Sequence, residues 1–269
     1  MTSPTFDFSV FERDAGAEAH LGLFKKIYDA TKVEGEEDKK YLIRSTWVAD
    51  GLVSSLSKAL QFPYNIPTDK APMFMHFALM IISYITGIFD DEEKPSENPN
   101  AAAAAAVVKD GALDKVFEVM TDERGIHPFY IMSGLSAIHA TLGALRDKEL
   151  SKNFAKKVMP VIVHQVETAA EGDDKKVGVV DIYASCCNIF CRALFAQDGV
   201  VELDLFQRMG QAVFAGLIHH KHNAKVQHAG RGFLLDFFGE QAADMIDHVE
   251  MHIREECVCT NCTSTADAA

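Results

Sequence analysis

A chain of 269 residues with 48% hydrophobic side chains is long and apolar enough to bury a substantial core, which excludes the intrinsically disordered class. The formal net charge of −13 argues against general binding of nucleic acid or anionic membranes, because both require a positive field. The acidic surface is expected to keep the protein soluble, or to favour a basic partner.

Helical periodicity dominates the first hundred residues, with apolar side chains recurring near i, i+3, i+4 and i+7. Trp47, the only tryptophan, lies on the apolar face of one segment and is expected in the core. The start of the chain has neither a basic residue nor a long apolar run, so we expect no signal or transit peptide and an intracellular, cytoplasmic protein. The predicted helices are 17–30, 38–60, 71–89 and 101–109.

The run 72–89 has nearly the length of a membrane-spanning helix. Its polar residues Ser83, Tyr84 and Thr86, and the lack of basic flanks, favour a buried helix instead. We therefore expect no membrane span. The acidic, proline-containing segment 90–100 is predicted to be an exposed loop, and Asn100 is suited to cap the alanine-rich helix that follows.

The remainder of the chain is also predicted to be helical, interrupted by a charged loop at 171–176. Together these elements predict an N-terminal helical segment (1–100), a repeat region (101–255) and a disordered, cysteine-containing tail (256–269). The predicted helices of this part are 112–120, 129–145, 151–170, 176–195, 204–219, 222–238 and 240–255.

A repeated pattern indicates the architecture. Asp-Gly steps at Gly111 and Gly199 each separate two amphipathic segments, and a glycine there can end a helix in the left-handed conformation. Halfway between them, Pro160 is suited to the first turn of a new helix. The period of about 44 residues and the glycine-containing step resemble armadillo and HEAT repeats. This resemblance implies an all-α, right-handed α-solenoid, with a compact multi-helix bundle as the alternative.

No set of residues indicates catalysis, so we expect a protein that is not an enzyme. Cys186, Cys187 and Cys191 lie at helical spacing among apolar residues, which favours core packing. Asp244, His248 and His252 follow one helix face and form the best metal candidate, but they lack the His-Glu-x-x-His order of zinc proteases. We expect no metal and no cofactor.

One stretch of this acidic chain is basic, since no acidic residue occurs between Leu205 and Leu235. Two interpretations stay open: a helix–helix turn in which cations complement the helix dipole, or an anion-binding patch. The positive and histidine side chains of the stretch are Arg208, His219, His220, Lys221, His222, Lys225, His228 and Arg231.

The function that these features favour is a protein-interaction adaptor that holds a segment of a partner protein, such as a peptide, along a helical groove. Armadillo-like proteins bind extended chains through asparagines and neighbouring polar groups, so the resemblance implies partner contacts along a polar stripe. The alternatives are an accessory subunit of a larger complex, or a metal-binding protein or enzyme using Asp244, His248 and His252. The sequence does not give the oligomeric state. The polar stripe comprises Ser136, His139, Asp181, Ser185, Asn188, Arg192, Asn223, Gln227 and Arg231.

Overall fold

A computed structural model describes residues 6–8, 10, 17–31, 45–61, 71–87, 99–121, 127–173 and 175–254. Every regular element within these ranges is helical and none is a strand, which confirms the all-α class. The predicted acidic loop, for the most part, and the predicted tail lie outside the described residues.

The chain forms two compact units. The first contains Met1–Val161 together with Arg192–Val200, and the second contains Ile162–Cys191 together with Val201–Ala269. Two of the three boundaries between the units fall inside long helices, and the third lies between Val200 and Val201, which are not helical. Each unit is described separately below.

The first unit is built around an apolar helix, α3 (Ala71–Thr86), which packs against α1 (Ala17–Thr31) and α6 (Pro128–Ala144). Ile81, Ile82 and Ile85 of α3 are fully buried, so the described part of the run 72–89 contributes to the core of this unit, as the sequence indicated. Burying side chains on several sides of one helix explains its nearly continuous apolar sequence. The helices of this unit are α1 (Ala17–Thr31), α2 (Leu52–Gln61), α3 (Ala71–Thr86), α4 (Pro99–Lys109), α5 (Asp114–Met120) and α6 (Pro128–Ala144).

The predicted single helix over 38–60 is wrong, because the chain turns between two helical segments. Residues 45–49 are helical, Asp50 and Gly51 form the turn, and α2 begins at Leu52. Gly51 has a φ of +88°, a conformation that is readily available only to glycine. Trp47 is 1% exposed, which confirms its predicted place in the core.

Both predicted glycine steps are present. At the end of α4, the Ala112 amide donates to the Val107 carbonyl and the Gly111 amide to the Val108 carbonyl, the two bonds of a Schellman motif. At the second step the same two bonds run from Gly199 and Asp198. Asp198, with a φ of +54°, therefore takes the left-handed position that the sequence assigned to Gly199, and Gly199 also has a positive φ.

The predicted step at Pro160 is absent. α7 (Lys148–Ala170) and α8 (Val179–Ala196) are the two helices that the unit boundaries cross, and α7 continues through Pro160 without interruption. A proline inside a helix removes one backbone hydrogen bond, yet this one is exposed on the helix surface. The middle of the three repeat-like steps is therefore not a helix boundary.

The second unit contains the end of α7, most of α8, and three further helices, of which α9 packs against both α10 and α11. Tyr183 of α8 is fully buried, and its hydroxyl donates a 2.7 Å hydrogen bond to the Val213 carbonyl of α9. This tyrosine therefore anchors α9 to α8. The three helices are α9 (Leu203–His219), α10 (Ala224–Phe238) and α11 (Gln241–Ile253).

Among the described helices, α8 is the one that is both long and apolar enough to cross a membrane. Half of its apolar window is buried against other parts of the protein. The core helix of a globular protein has the same properties, so this feature is weak evidence for a span.

Candidate functional site

The main candidate site is an open groove along α9 in the second unit. One continuous face of α9 lines it, at positions i, i+3, i+4, i+7, i+8, i+11 and i+12, which lie along one side of a helix. The groove encloses about 920 Å³. The α9 residues that line it are Gln207, Gly210, Gln211, Phe214, Ala215, Ile218 and His219, with Phe206 at the start of the face.

The other walls of the groove are apolar side chains from neighbouring helices, together with a few polar groups. Phe238 at the end of α10 and Met245 of α11 face the groove, and His252 lies near the end of α11. Ala170 and Glu171 at the end of α7 complete it. An apolar groove with a small number of polar groups is typical of surfaces that bind the apolar face of another segment.

The opposite face of α9 explains how the helix presents this groove. Leu205, Met209, Val213 and Leu217 recur every four residues and are buried. Arg208 then fixes the flank of the helix, because it forms two hydrogen bonds of 2.8 and 2.7 Å to the Glu167 carboxylate. α9 is therefore held through one face and one flank, and its other face stays open.

The ion pair between Arg208 and Glu167 places polar groups near the start of α9. The guanidinium of Arg208, by hydrogen bonding and charge, holds the pKa of Glu167 below its usual value, although partial burial opposes this shift. The carboxylate thus stays ionised and the two side chains stay paired at neutral pH.

Two histidines and a phenylalanine form an aromatic cluster beside the groove. The ring of His248 stacks on Phe214 with centroids 5.5 Å apart, and the ring of His252 meets Phe214 edge-on at 6.0 Å. The two imidazole centroids are 4.9 Å apart. Burial and, to a smaller extent, His248 lower the pKa of His252, so this imidazole is neutral at pH 7.

Asp244 does not join this histidine pair. It is exposed on α11, and no group of three or more His, Cys, Asp or Glu side chains in the described parts of the chain could hold a metal ion. The three residues singled out in the sequence therefore do not by themselves form a metal site.

Four residues of the predicted polar stripe stabilise the second unit, three by contacts between helices and one as a helix cap. Asp181 pairs with Lys225, and Arg231 forms a 3.0 Å ion pair with Glu250. The Asn223 side chain caps α10 by accepting from the amides of Lys225 and Val226, at 3.1 and 3.3 Å, and the Gln227 amide donates to the Leu217 carbonyl at 2.7 Å. These polar groups have a structural role.

The remaining stripe residues lie on the surface of their helices. Ser136, His139 and Asn188 are exposed, whereas Ser185 and Arg192 are half-buried. In the first unit, the protein atoms that cover one side of the His139 ring and, to a smaller extent, the positive charge of Arg192 lower the pKa of His139. The structure thus brings His139 and Arg192 within electrostatic range of each other.

A second, smaller cleft of about 220 Å³ lies between α8 and α10. Asn188 lines it, together with Cys187, Cys191, His228 and Asp236. Burial raises the pKa of Cys191 to about 12 and holds the pKa of Cys187 well above its usual value, so both side chains are protonated thiols at neutral pH. The cleft therefore contains no activated nucleophile among its cysteines, in agreement with their predicted packing role.

The structure favours a structural interpretation of the basic stretch over an anion-binding patch. Arg208, Lys225 and Arg231 each form an ion pair with a carboxylate of another helix. His220 is buried and its Nε2 lies 2.9 Å from the Ala169 carbonyl. Most of the positive charge of this stretch is thus neutralised within the second unit.

The groove itself was missed by the sequence analysis, although the sequence contains a signal for it. Phe206, Gly210, Phe214 and Ile218 recur every four residues beside the buried stripe of α9, which makes the apolar arc wider than one packing face requires. A second apolar stripe on a helix of this kind indicates a second surface to cover.

Comparisons of the chain with protein families, with curated proteins and with solved structures found no match.

Proposed function

We propose that this protein is a non-enzymatic interaction module, and that it holds an amphipathic helix of a partner protein in the groove along α9. The observation that supports this proposal is the open apolar face of α9, with its aromatic and aliphatic walls. Amphipathic helices bind such grooves by inserting side chains spaced at i, i+3, i+4 and i+7.

The length of the groove fits a short helix. The face from Gln207 to His219 extends over twelve residue steps, or about 18 Å at a rise of about 1.5 Å per residue. This corresponds to a partner helix of about three turns. Phe206, Phe214 and Phe238 offer aromatic contacts of the kind that dominate binding energy at interfaces.

The charge of the chain favours a partner helix with basic flanks. A net charge of −13 attracts cations over long range and speeds their encounter with the protein. Glu171 stands at one end of the groove, where it can meet a lysine or arginine of the bound helix.

The test uses a defined probe, a fluorescent Leu/Lys peptide of about fourteen residues with an apolar helical face, and a scrambled peptide of equal composition. We expect the amphipathic peptide to bind more tightly than the scrambled one. The variant Ala215→Arg places a long cation in the groove at an exposed position, so it should weaken binding at least about tenfold, or ~1.4 kcal/mol. Ala243→Arg makes the same change at an exposed alanine that does not line the groove and should bind like the wild type.

Two results would contradict the proposal. One is equal binding of the two peptides, and the other is wild-type affinity in the Ala215→Arg variant. The double variant Asn188→Ala with Arg231→Ala distinguishes the polar stripe from the groove. A loss of binding in that variant alone would move the binding surface to the stripe.

We further propose that the chain is related to armadillo-like repeat proteins in its architecture. The support is the matched pair of Schellman turns at Gly111 and Asp198, which end α4 and α8 in the same way. The continuous helix through Pro160 leaves only these two of the three steps.

The second candidate function is an accessory subunit of a larger assembly. Phe195 and Val200, both in the first unit, are 72% and 67% exposed. Large apolar side chains at such exposure are found at permanent interfaces. Isolation of the protein only in a stable complex, with these residues covered, would favour this alternative.

A further inference from the structure

The apolar stripe of α9 that lines the groove has a gap at Gly210. Phe206, Gly210, Phe214 and Ile218 recur every four residues, and all of them line the groove. Gly210 is the member of this stripe without a side chain. A Cβ added there would meet no heavy atom of the described residues within 4 Å, apart from the backbone of its own helix. The space over Gly210 is therefore an open notch in the groove, between Phe206 and Phe214.

The fold of the described residues does not require glycine at this position. The φ of Gly210 lies outside the left-handed region that favours glycine, and no described neighbour approaches it as Tyr183 approaches Gly216. Glycine is also the least favourable helix residue apart from proline, so its presence here opposes helix formation. What the glycine provides is the open space of the notch.

Both aromatic walls of the notch are held by rings from neighbouring helices. The ring centroid of Phe206 lies 6.1 Å from that of Phe237 and 5.7 Å from that of Phe238, both at the end of α10. On the other side, the Phe214 ring stacks on His248 of α11 with centroids 5.5 Å apart. Rings that are already restricted lose little further freedom when a ligand packs against them, so the notch is pre-organised for binding.

The notch has room for one large side chain. Each wall residue is four residues from Gly210, which corresponds to about 6 Å along the helix axis at a rise of about 1.5 Å per residue. The two walls are thus about 12 Å apart along the axis, and their rings occupy part of that length. A ring inserted from a bound helix would fill the remainder, whereas an alanine side chain would leave most of the wall atoms without contacts.

The chemistry of the notch favours an aromatic ring as the inserted group. Its walls are the aromatic rings of Phe206 and Phe214, its floor is helix backbone, and the stripe has no charged member. Aromatic pairs prefer edge-to-face or offset arrangements with centroids about 4.5–7 Å apart, and they contribute more than their buried area alone. A ring over Gly210 lies about 6 Å along the axis from each wall, which is within this range.

We propose that the notch at Gly210 is an anchor pocket that receives one aromatic side chain, such as phenylalanine, from an outer turn of the partner helix. Gly210 is three residues from Gln207 at one end of the groove face and nine from His219 at the other, so the anchor lies towards the Gln207 end. The other apolar side chains of the partner then lie over Phe214 and Ile218. This inference rests on the proposed binding of an amphipathic helix, and it adds the residue type and the position that the groove selects.

The test uses the amphipathic Leu/Lys peptide and a series in which one leucine at a time is replaced by phenylalanine or by alanine. Fluorescence anisotropy measures the affinity of each peptide for the full chain. With the wild type, one outer-turn position should bind phenylalanine at least about tenfold more tightly than alanine, as expected of a buried aromatic anchor. The same exchange at the other leucines should have a smaller effect.

Gly210→Leu fills the notch from within the protein. Its side chain begins in open space and leucine is the better helix former, so the variant should stay folded, which circular dichroism checks. The preference at the anchor position should reverse, so that the alanine peptide binds more tightly than the phenylalanine peptide. Gly210→Ala, which adds a methyl group, should reduce the preference for phenylalanine. Ala243→Leu is the matched control and should keep the wild-type preference, since Ala243 is exposed and does not line the groove.

The results distinguish the anchor pocket from the groove. If the amphipathic peptides bind more tightly than the scrambled one but no position shows the preference, the anchor pocket is overturned and the groove remains. An unchanged preference for phenylalanine in both Gly210 variants would have the same meaning. Equal binding of the amphipathic and scrambled peptides would overturn both proposals.

Discussion

The contact between Tyr183 and two glycines of the second unit yields the sharpest prediction. A Cβ added at Gly216 of α9 would lie 2.2 Å from Cε2 of Tyr183, and one added at Gly230 of α10 would lie 2.9 Å from its hydroxyl oxygen. Real side chains do not approach so closely. Three helices therefore meet at a distance that only glycine permits at these two positions.

We expect Gly216→Ala to destabilise the protein, although alanine is the better helix former. Alanine gains about 1 kcal/mol over glycine in a helix interior, whereas overpacking of a buried site costs about 1–3 kcal/mol or more. Tyr183 is fully buried and bonded to the Val213 carbonyl, so its ring cannot move aside without loss of that hydrogen bond. The net loss should be up to about 2 kcal/mol.

Gly210→Ala is the matched control on the same helix. A Cβ at Gly210 would meet no heavy atom within 4 Å, so only the helix propensity changes. This variant should be more stable than the wild type by about 0.5–1 kcal/mol. Gly232→Ala is the corresponding control for Gly230→Ala on α10, because Gly232 is equally uncrowded.

Urea denaturation followed by circular dichroism measures these differences. Trp47 is the only tryptophan and lies in the first unit, so its fluorescence follows that unit separately. The reasoning is refuted if Gly216→Ala is as stable as Gly210→Ala. In a Tyr183→Leu background the destabilisation by Gly216→Ala should shrink, because the ring that causes the clash is absent, and a double-mutant cycle measures this coupling.

Three further outcomes follow from individual contacts. The Glu167–Arg208 pair stabilises the protein at pH values above the ordinary pKa of a glutamate, and this stabilisation is lost as the pH falls through the lowered pKa of Glu167. The melting temperature of Glu167→Gln should therefore lie below that of the wild type at pH 7, and the difference should shrink below about pH 4. An equal difference at both pH values would contradict this. Asp198→Gly should raise the free energy of unfolding by up to about 1 kcal/mol, because glycine adopts the left-handed conformation of this position without strain, whereas Gly199→Ala should lower it. The urea midpoints of the two variants should therefore shift in opposite directions from that of the wild type. Native Cys187 should resist alkylation until the protein unfolds, which mass spectrometry of iodoacetamide-treated samples would show, and rapid modification would mean that the thiol is accessible.

The helical elements were largely predictable because each follows from local pattern. The 3.6-residue period located α7 and α9 to within a few residues, and the Asp-Gly step at Gly111 gave the end of α4. The helix break at Gly51 was missed, since the apolar period continues across it and a single glycine inside a helical pattern is often tolerated. Pro160 misled in the opposite direction, because α7 stays helical through it, with the proline exposed on the helix surface.

The polar stripe shows why the site was harder to predict than the fold. The sequence places Asn223, Gln227 and Arg231 on one face of α10, but it does not indicate whether such groups face water or another helix. In the structure their partners are amides of the same helix, a carbonyl of α9 and a carboxylate of α11. The cap that Asn223 forms is local to α10. The partners of Gln227 and Arg231, by contrast, are selected only by the packing of α9, α10 and α11.

The two faces of α9 have separate physical roles, and this separation bears on both the stability and the function. Gly216 and Val213 hold the helix against Tyr183, so substitutions there act on folding. Phe214 and Ile218 are half-buried on the other face. The part of their apolar surface that stays in water does not contribute the ~25 cal/mol per Å² of stabilisation that burial would give. Truncation of Phe214 should therefore reduce stability less than removal of a buried phenylalanine such as Phe233, and reduce peptide binding more.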